Sequence, residues 1–262
     1  MGRAVCVLAI AAVLAGCGSG ALASPEDRWH PAPTTAPWQW QLQGAIDTSI
    51  PAEVFELDGF DTPAQAVRQL HEEGRRVVCY LDVGSWESYR PDRDRFPKSL
   101  IGRRYAGFPD ERWMDIRKIH LLAQPLRRRF AICARKGFDA VEPDNVNGFT
   151  NRTGFPLTAR DQLRFNRWVA RQVHARGMSV ALKNDPEQAG RLVGGFDFAV
   201  VEQCFQYHEC GRFSPFVKAR KAVFEAEYEL APGAFCARAM ALDFSAIRKG
   251  YALRARPWQP CA

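Results

Sequence analysis

From residue 38 onward, short and nearly continuous apolar runs alternate with longer stretches in which apolar residues recur every three or four positions. The runs are WQWQL (38–42), VFELD (54–58), VVCYLD (77–82), FDAVEPD (138–144), MSVALKND (178–185), FAVVEQ (198–203), AVFEAEY (222–228) and FSAI (244–247). Glu73-Gly74, Lys136-Gly137 and Arg176-Gly177 each stand shortly before a run. A glycine there is a helix C-cap, because glycine adopts the left-handed conformation without a Cβ penalty. The run that follows reads as a parallel strand, apolar on both faces because helices cover it. Asp61-Thr62-Pro63 is a helix-start signal for a helix reaching about Glu73. Between Thr158 and Arg176, Phe165, Trp168, Val169 and Val173 share one helical face. Ile119, Leu122, Leu126, Phe130 and Cys133 do the same, and Pro125 is expected to kink or split that helix.

Strands alternating with helices imply βαβ units. Eight strands within 38–262 predict a single-domain α/β fold, a (β/α)8 TIM barrel, whose usual size this stretch approaches. A doubly wound open sheet is the alternative, and neither GxGxxG nor GxxxxGK follows the first strand.

The N-terminus changes the picture before the barrel begins. One arginine, Arg3, precedes the apolar run Ala4–Leu14, which is too short to span a bilayer and reads as a signal peptide, 1–16. Leu14-Ala15-Gly16-Cys17 resembles a bacterial lipobox, which implies lipidation at Cys17; a plain secretory signal cut near Ala23 is the other reading. Residues 17–37, rich in Gly, Ser, Ala, Pro and Thr, are expected to form a flexible lipidated tether. The expected location is therefore extracytoplasmic, on the cell surface, with the lipid as the only membrane contact. Six further cysteines remain in this oxidising setting. Cys204 with Cys210 would staple a loop, and Cys236 with Cys261 would tie down the C-terminus. Cys79 and Cys133 would then pair, or stay as buried thiols; spacing does not fix the connectivity.

Composition is that of an ordinary globular protein, 47% hydrophobic and 25% charged. The net charge of +7 is carried by scattered residues, and its densest runs, 127–129 and 164–176, fall in helical patterns as solvated faces. No nucleic-acid signature accompanies them.

Candidate chemistry lies at the C-terminal strand ends, where a barrel builds its site. These ends carry Asp58, Asp82, Glu142, Asp144, Lys183, Asp185, Glu202, Glu225 and Glu227. Single acids have plain structural readings: Asp58 before Gly59 suits a turn, and Asp185-Pro186 suits a helix cap. So many like charges at one rim cost stability, which favours function for the set. The five histidines show no metal or triad spacing, and no GxSxG occurs. Chemistry by carboxylates with no metal and no cofactor points to glycoside hydrolysis.

The phrases CYLDVGSWESYRPD (79–92), GFDAVEPDNVNGFTNRTGFPLT (137–158), LKND (182–185), FAVVEQCFQY (198–207) and FEAEY (224–228) resemble glycoside hydrolase family 114, the endo-α-1,4-polygalactosaminidase-like barrels. The resemblance implies an endo-acting hydrolase of α-1,4-linked, galactosamine-rich polysaccharide. It marks Asp144 and Glu202 as the catalytic pair. By analogy with α-galactosidase-like barrels, Asp144 on the fourth strand is the nucleophile and Glu202 on the sixth the acid/base, with net retention. Asp82, Glu142, Asn145, Lys183, Asn184 and Glu225 are expected to line the sugar site, with Lys183 keeping the nucleophile ionised. Trp86, Tyr89, Phe149 and Tyr207 are candidates for stacking on sugar rings or for loop packing. A monomer is expected. The competing readings are a barrel that binds glycan without cleaving it and a hydrolase of another α-galactosidic linkage.

Overall fold

The computed structural model describes residues 1–2 and 28–261. The expected leader from residue 3 onward, and Cys17, lie outside them. Eight parallel strands form the barrel: β1 (Trp38–Gln41), β2 (Val54–Asp58), β3 (Arg76–Asp82), β7 (Ala140–Asp144), β8 (Ser179–Lys183), β9 (Phe198–Glu202), β10 (Val223–Glu227) and β11 (Ser245–Lys249). They follow one another around the sheet in that order, and β12 (Trp258–Pro260) adds antiparallel to β11. At the seam, side chains bridge β1 and the β11–β12 corner. Lys249 Nζ donates to Gln39 Oε1 at 2.8 Å, and Trp258 Nε1 to the Trp38 carbonyl at 2.8 Å. The sheet is a nearly closed barrel, and every one of the eight expected strands belongs to it.

The helices are α1 (Ala64–Glu72), α2 (Ile119–Lys136), α3 (Ala159–His174), α4 (Ala189–Leu192), α5 (Ser214–Lys218) and α6 (Pro232–Ala241). Gly74, Gly137 and Gly177 all have left-handed φ, at 77°, 88° and 75°, so the glycine signal is a conformational one. Helix α3 opens with a reciprocal capping box between Thr158 and Asp161. Pro125 does not split α2, which runs through it.

Strand parity divides each strand between two layers. Phe55, Leu57, Val77, Cys79, Leu81 and Val141 face outward into the core shared with Leu126, Phe130, Phe165 and Val169 of the helices. Trp38, Val54, Val78, Ala140, Phe198 and Phe224 fill the barrel's interior near its N-terminal end. Residues 28–37, expected as tether, pack across that end instead. The Trp29 ring meets Phe198 at 5.5 Å, and the Pro31 carbonyl accepts from Ala222 N at 2.9 Å. A ring contact and a backbone hydrogen bond fasten this Pro-rich stretch, which composition does not reveal.

Between β3 and α2 the chain inserts a three-stranded antiparallel sheet, β4 (Ser85–Glu87), β6 (Phe108–Met114) and β5 (Ile101–Tyr105), which sequence patterning does not anticipate. Three disulfides are present, Cys79–Cys133, Cys204–Cys210 and Cys236–Cys261, and they suit an extracytoplasmic setting. Among the described residues no helix is long and apolar enough to cross a membrane.

Candidate active site

Along β2, β7 and β8 the interior positions change from apolar to charged on approaching the C-terminal rim. Val54 is followed two residues on by Glu56, Ala140 by Glu142 and Asp144, and Ala181 by Lys183. The same parity on β9 runs Phe198, Val200, Glu202. The ammonium of Lys183 stands at the centre. Its Nζ lies 2.8 Å from Glu142 Oε1, 3.1 Å from Asp144 Oδ1 and 3.2 Å from Glu202 Oε2, and 4.6 Å above the Trp40 ring. Burial works against this charge, but the carboxylates of Asp144, Glu142 and Glu202 outweigh it and hold Lys183 well above its ordinary pKa. The lysine is a fixed cation.

Asp144 also accepts from Tyr80 Oη at 2.9 Å and from the Asn145 backbone N–H at 2.8 Å. Glu202 accepts from Tyr228 Oη at 2.5 Å and from Asn184 Nδ2 at 3.1 Å, while its own N–H donates to Asn184 Oδ1 at 2.9 Å. Burial, and then the adjoining carboxylate, push both tyrosines well above the usual phenol pKa, so they act as donors. Beneath the lysine, burial and then the Glu142 charge push Glu56 well above the carboxylate range. Burial raises Glu142 as well, but its ion pair with Lys183 opposes that, so Glu56 is the member of the pair that favours the protonated form. Asn145, Asn184 and Gln203, the residues immediately after β7, β8 and β9, have left-handed φ of 60°, 48° and 54°. The chain turns off each strand there, in a conformation that is uncommon for residues with a Cβ and recurs at functional sites.

These groups open into a cavity of about 770 Å³, within the range of small-ligand sites. Asp144, Asn145, Lys183, Asn184, Glu202 and Tyr207 line it, as does Tyr89. The structure brings these sequence candidates together. It places others elsewhere. Asp82 is fully buried and ties loops, accepting from Gly84 N, Ser85 N and Asn145 Nδ2 at 3.0, 2.7 and 2.7 Å. Glu142 sits below the cavity floor, touching Lys183. Trp86 packs against the core and donates through Nε1 to the Arg93 carbonyl. Phe149 is half-buried outside the cavity wall. Glu225 points away from the interior, because Phe224 and Ala226 of the same strand, and Tyr228 just beyond it, occupy it. Its buried neighbour Glu227 accepts from Phe205 N at 2.8 Å and Gln206 N at 3.2 Å, so it shapes the loop that carries Tyr207.

Sequence reasoning misses Tyr80 and Tyr228, since tyrosine in an apolar strand reads as core. It also misses Glu56, and the inserted-sheet residues Tyr105, Phe108 and Glu111, which reach the cavity. The available signal for Glu56 and Tyr80 is parity: each stands two residues before a rim acid.

The family model of glycoside-hydrolase family GH114 matches residues 18–261. The chain belongs to glycoside hydrolase family 114. It is similar to Aspergillus fumigatus Ega3, whose crystal structure holds galactosamine. The identity is 34%, the TM-score 0.82, and the match covers 87% of this chain and 95% of that one. The glycoside hydrolase domain of PelA from Pseudomonas aeruginosa shares the fold at 15% identity and TM-score 0.66, over 85% of this chain and 97% of that domain. An α-galactosidase from Thermus thermophilus does so at 14% identity and TM-score 0.53, over 83% of this chain and 58% of its own. No curated protein matches the chain. As a member of family 114 the protein is a glycoside hydrolase.

Proposed function

We propose that this glycoside hydrolase cleaves α-1,4-linked galactosamine polymer internally and with retention, using Asp144 as nucleophile and Glu202 as acid/base. The observation that carries the reading is the shared contact of Asp144 Oδ1 and Glu202 Oε2 with one nitrogen, at 3.1 and 3.2 Å. These oxygens are no farther apart than those two lengths end to end. Such closeness of the two facing oxygens supports the short spacing of a retaining pair, ~5–5.5 Å between carboxyl groups. Asp144 on the fourth barrel strand attacks the anomeric carbon as the glycosidic C–O bond breaks, and Glu202 on the sixth gives its proton to the leaving oxygen. Glu202 then takes a proton from water, water oxygen attacks the same carbon, and Asp144 is released as carboxylate. Lys183 offsets the charge of the pair, and the two tyrosines fix its orientation.

Substrate charge is supported by the cavity itself. Asp61, Asp110, Glu187 and Glu209 join the pair in its wall, where the cations among the described residues are Arg90 and Lys183. Arg90 is already committed to Asp58 and Glu87. An acidic cleft in a chain of net charge +7 suits a cationic amino-sugar polymer. The galactosamine bound by Ega3 supports the same sugar. Export through the N-terminal leader, anchoring at Cys17 and action as a monomer belong to the same proposal.

The test is turnover of fully de-N-acetylated, partly acetylated and fully acetylated α-1,4-galactosamine polymers. The de-N-acetylated polymer is expected to be cut most rapidly, into mid-length products. Asp144→Asn and Glu202→Gln should each lose about 10²–10⁴-fold or more in turnover while retaining polymer binding. Turnover that survives either change contradicts the assignment, and preference for the acetylated polymer contradicts the substrate.

A further inference from the structure

The inserted sheet ends in an aromatic residue where a hairpin tip would ordinarily be polar. Tyr105 and Phe108 pair across the two-residue turn Ala106-Gly107, with Gly107 at φ 86°. Phe108 is 53% exposed, yet it lines the same cavity as Asp144 and Glu202. Its ring stacks on Tyr105, with centroids 5.1 Å apart and planes 15° from parallel. Tyr105 in turn meets the buried Trp113 edge-on at 4.6 Å. The Phe108 face is thus held by two rings behind it.

The hairpin is fastened at its base. Arg103 N donates to the Thr153 carbonyl at 2.8 Å, and Arg112 Nη1 to the Gly102 carbonyl at 2.9 Å. A Cβ on Gly102 would come within 2.3 Å of the Thr153 carbonyl oxygen, so the two loops meet without space for a side chain. Burial, and then the charges of Asp144 and Glu202, raise the Tyr105 pKa. Tyr105 is half-buried and Phe108 exposed, so Tyr105 is the inner ring and Phe108 the outer one. On β6, Asp110 shares the Phe108 face by parity, about 7 Å along the strand, and also lines the cavity.

We propose that the β5–β6 hairpin is an amino-sugar subsite one or more residues beyond the scissile bond, in which Phe108 stacks on a pyranose face and Asp110 accepts its ammonium group. The inference rests on the galactosamine reading above and deepens it. A fixed aromatic face adds affinity without ordering cost, and the neighbouring carboxylate discriminates a free amine from an acetamide.

The test uses Glu202→Gln protein, which holds substrate without turning it over, and de-N-acetylated and acetylated α-1,4-galactosamine hexamers in calorimetry. Adding Phe108→Ala is expected to weaken hexamer binding roughly 3- to 10-fold, and Phe108→Trp to restore it. The indole fluorescence that Phe108→Trp adds should change on saturation with hexamer. Adding Asp110→Asn should weaken the de-N-acetylated hexamer and leave the acetylated one unchanged. Hexamer binding that Phe108→Ala leaves unaltered, or an added fluorescence that saturation leaves unaltered, overturns the subsite alone. Absence of hexamer binding by Glu202→Gln overturns the subsite and the galactosamine reading together.

Discussion

Lys183 is the residue on which the site's charge balance turns, since it touches three carboxylates while buried. Removing one partner of a buried ion pair leaves an uncompensated charge, which costs about 3–5 kcal/mol. Lys183→Met should therefore lower the melting temperature. It should also lose turnover by roughly 100-fold or more, because no cation then offsets the charge of Asp144. Glu56→Gln should be close to neutral in both, because burial and the Glu142 charge favour the protonated form of Glu56 and an amide reproduces that form. Kinetics and thermal unfolding of the two variants check this; equal damage by both contradicts the assignment of the proton to Glu56. Asp185 provides a pH test. Burial, and then the Glu187 carboxylate, push it up to about 8. An unfolded aspartate ionises near pH ~3.9. Between those values the unfolded chain releases a proton that the folded one keeps, so this group's contribution to stability falls as pH rises and is gone above about 8. Asp185→Asn, which can still accept from Asn166, should flatten the fall in denaturant midpoint between about pH 4 and 8; an unchanged slope contradicts the buried-acid assignment.

At the scale of elements, the eight barrel strands are legible because each carries a continuous apolar run and three follow a glycine cap. The inserted sheet is not legible. Phe108-Pro-Asp-Glu-Arg-Trp-Met114 mixes charges with aromatics, since its first residues meet solvent and the cavity while Trp113 and Met114 are buried. Strand parity tells which residues share a face but not which face looks inward. That is why Glu225, at the right height on β10, reads as a sugar-site residue although Tyr228, just beyond the same strand, takes the interior position. Asp82 shows the complementary case: a rim acid whose oxygens are consumed by loop N–H groups and Asn145. The Cys236–Cys261 bridge closes α6 onto the C-terminal strand region, and a loop of that separation, 25 residues, carries about 3.5 kcal/mol in the chain-entropy picture. Cys236→Ser with Cys261→Ser should lower stability by that order in denaturant unfolding, with turnover at low temperature largely kept.

The whole molecule combines an outer surface of positive net charge with an acidic cavity at one end of the barrel, and two carboxylates from its fourth and sixth strands meet there across a lysine. The pair itself is readable from EPDN and VVEQC; the tyrosines that orient it are not, because a phenol in an apolar strand has no pattern of its own. The direct test is to trap the sugar on the protein. Glu202→Gln enzyme, or wild type, is incubated with a 5-fluoro-galactosaminyl fluoride and analysed by intact-mass and peptide-mapping mass spectrometry. One added glycosyl group, located on the peptide containing Asp144 and absent from Asp144→Asn, is the expected result. Turnover without any adduct, or an adduct on another carboxylate, contradicts the account.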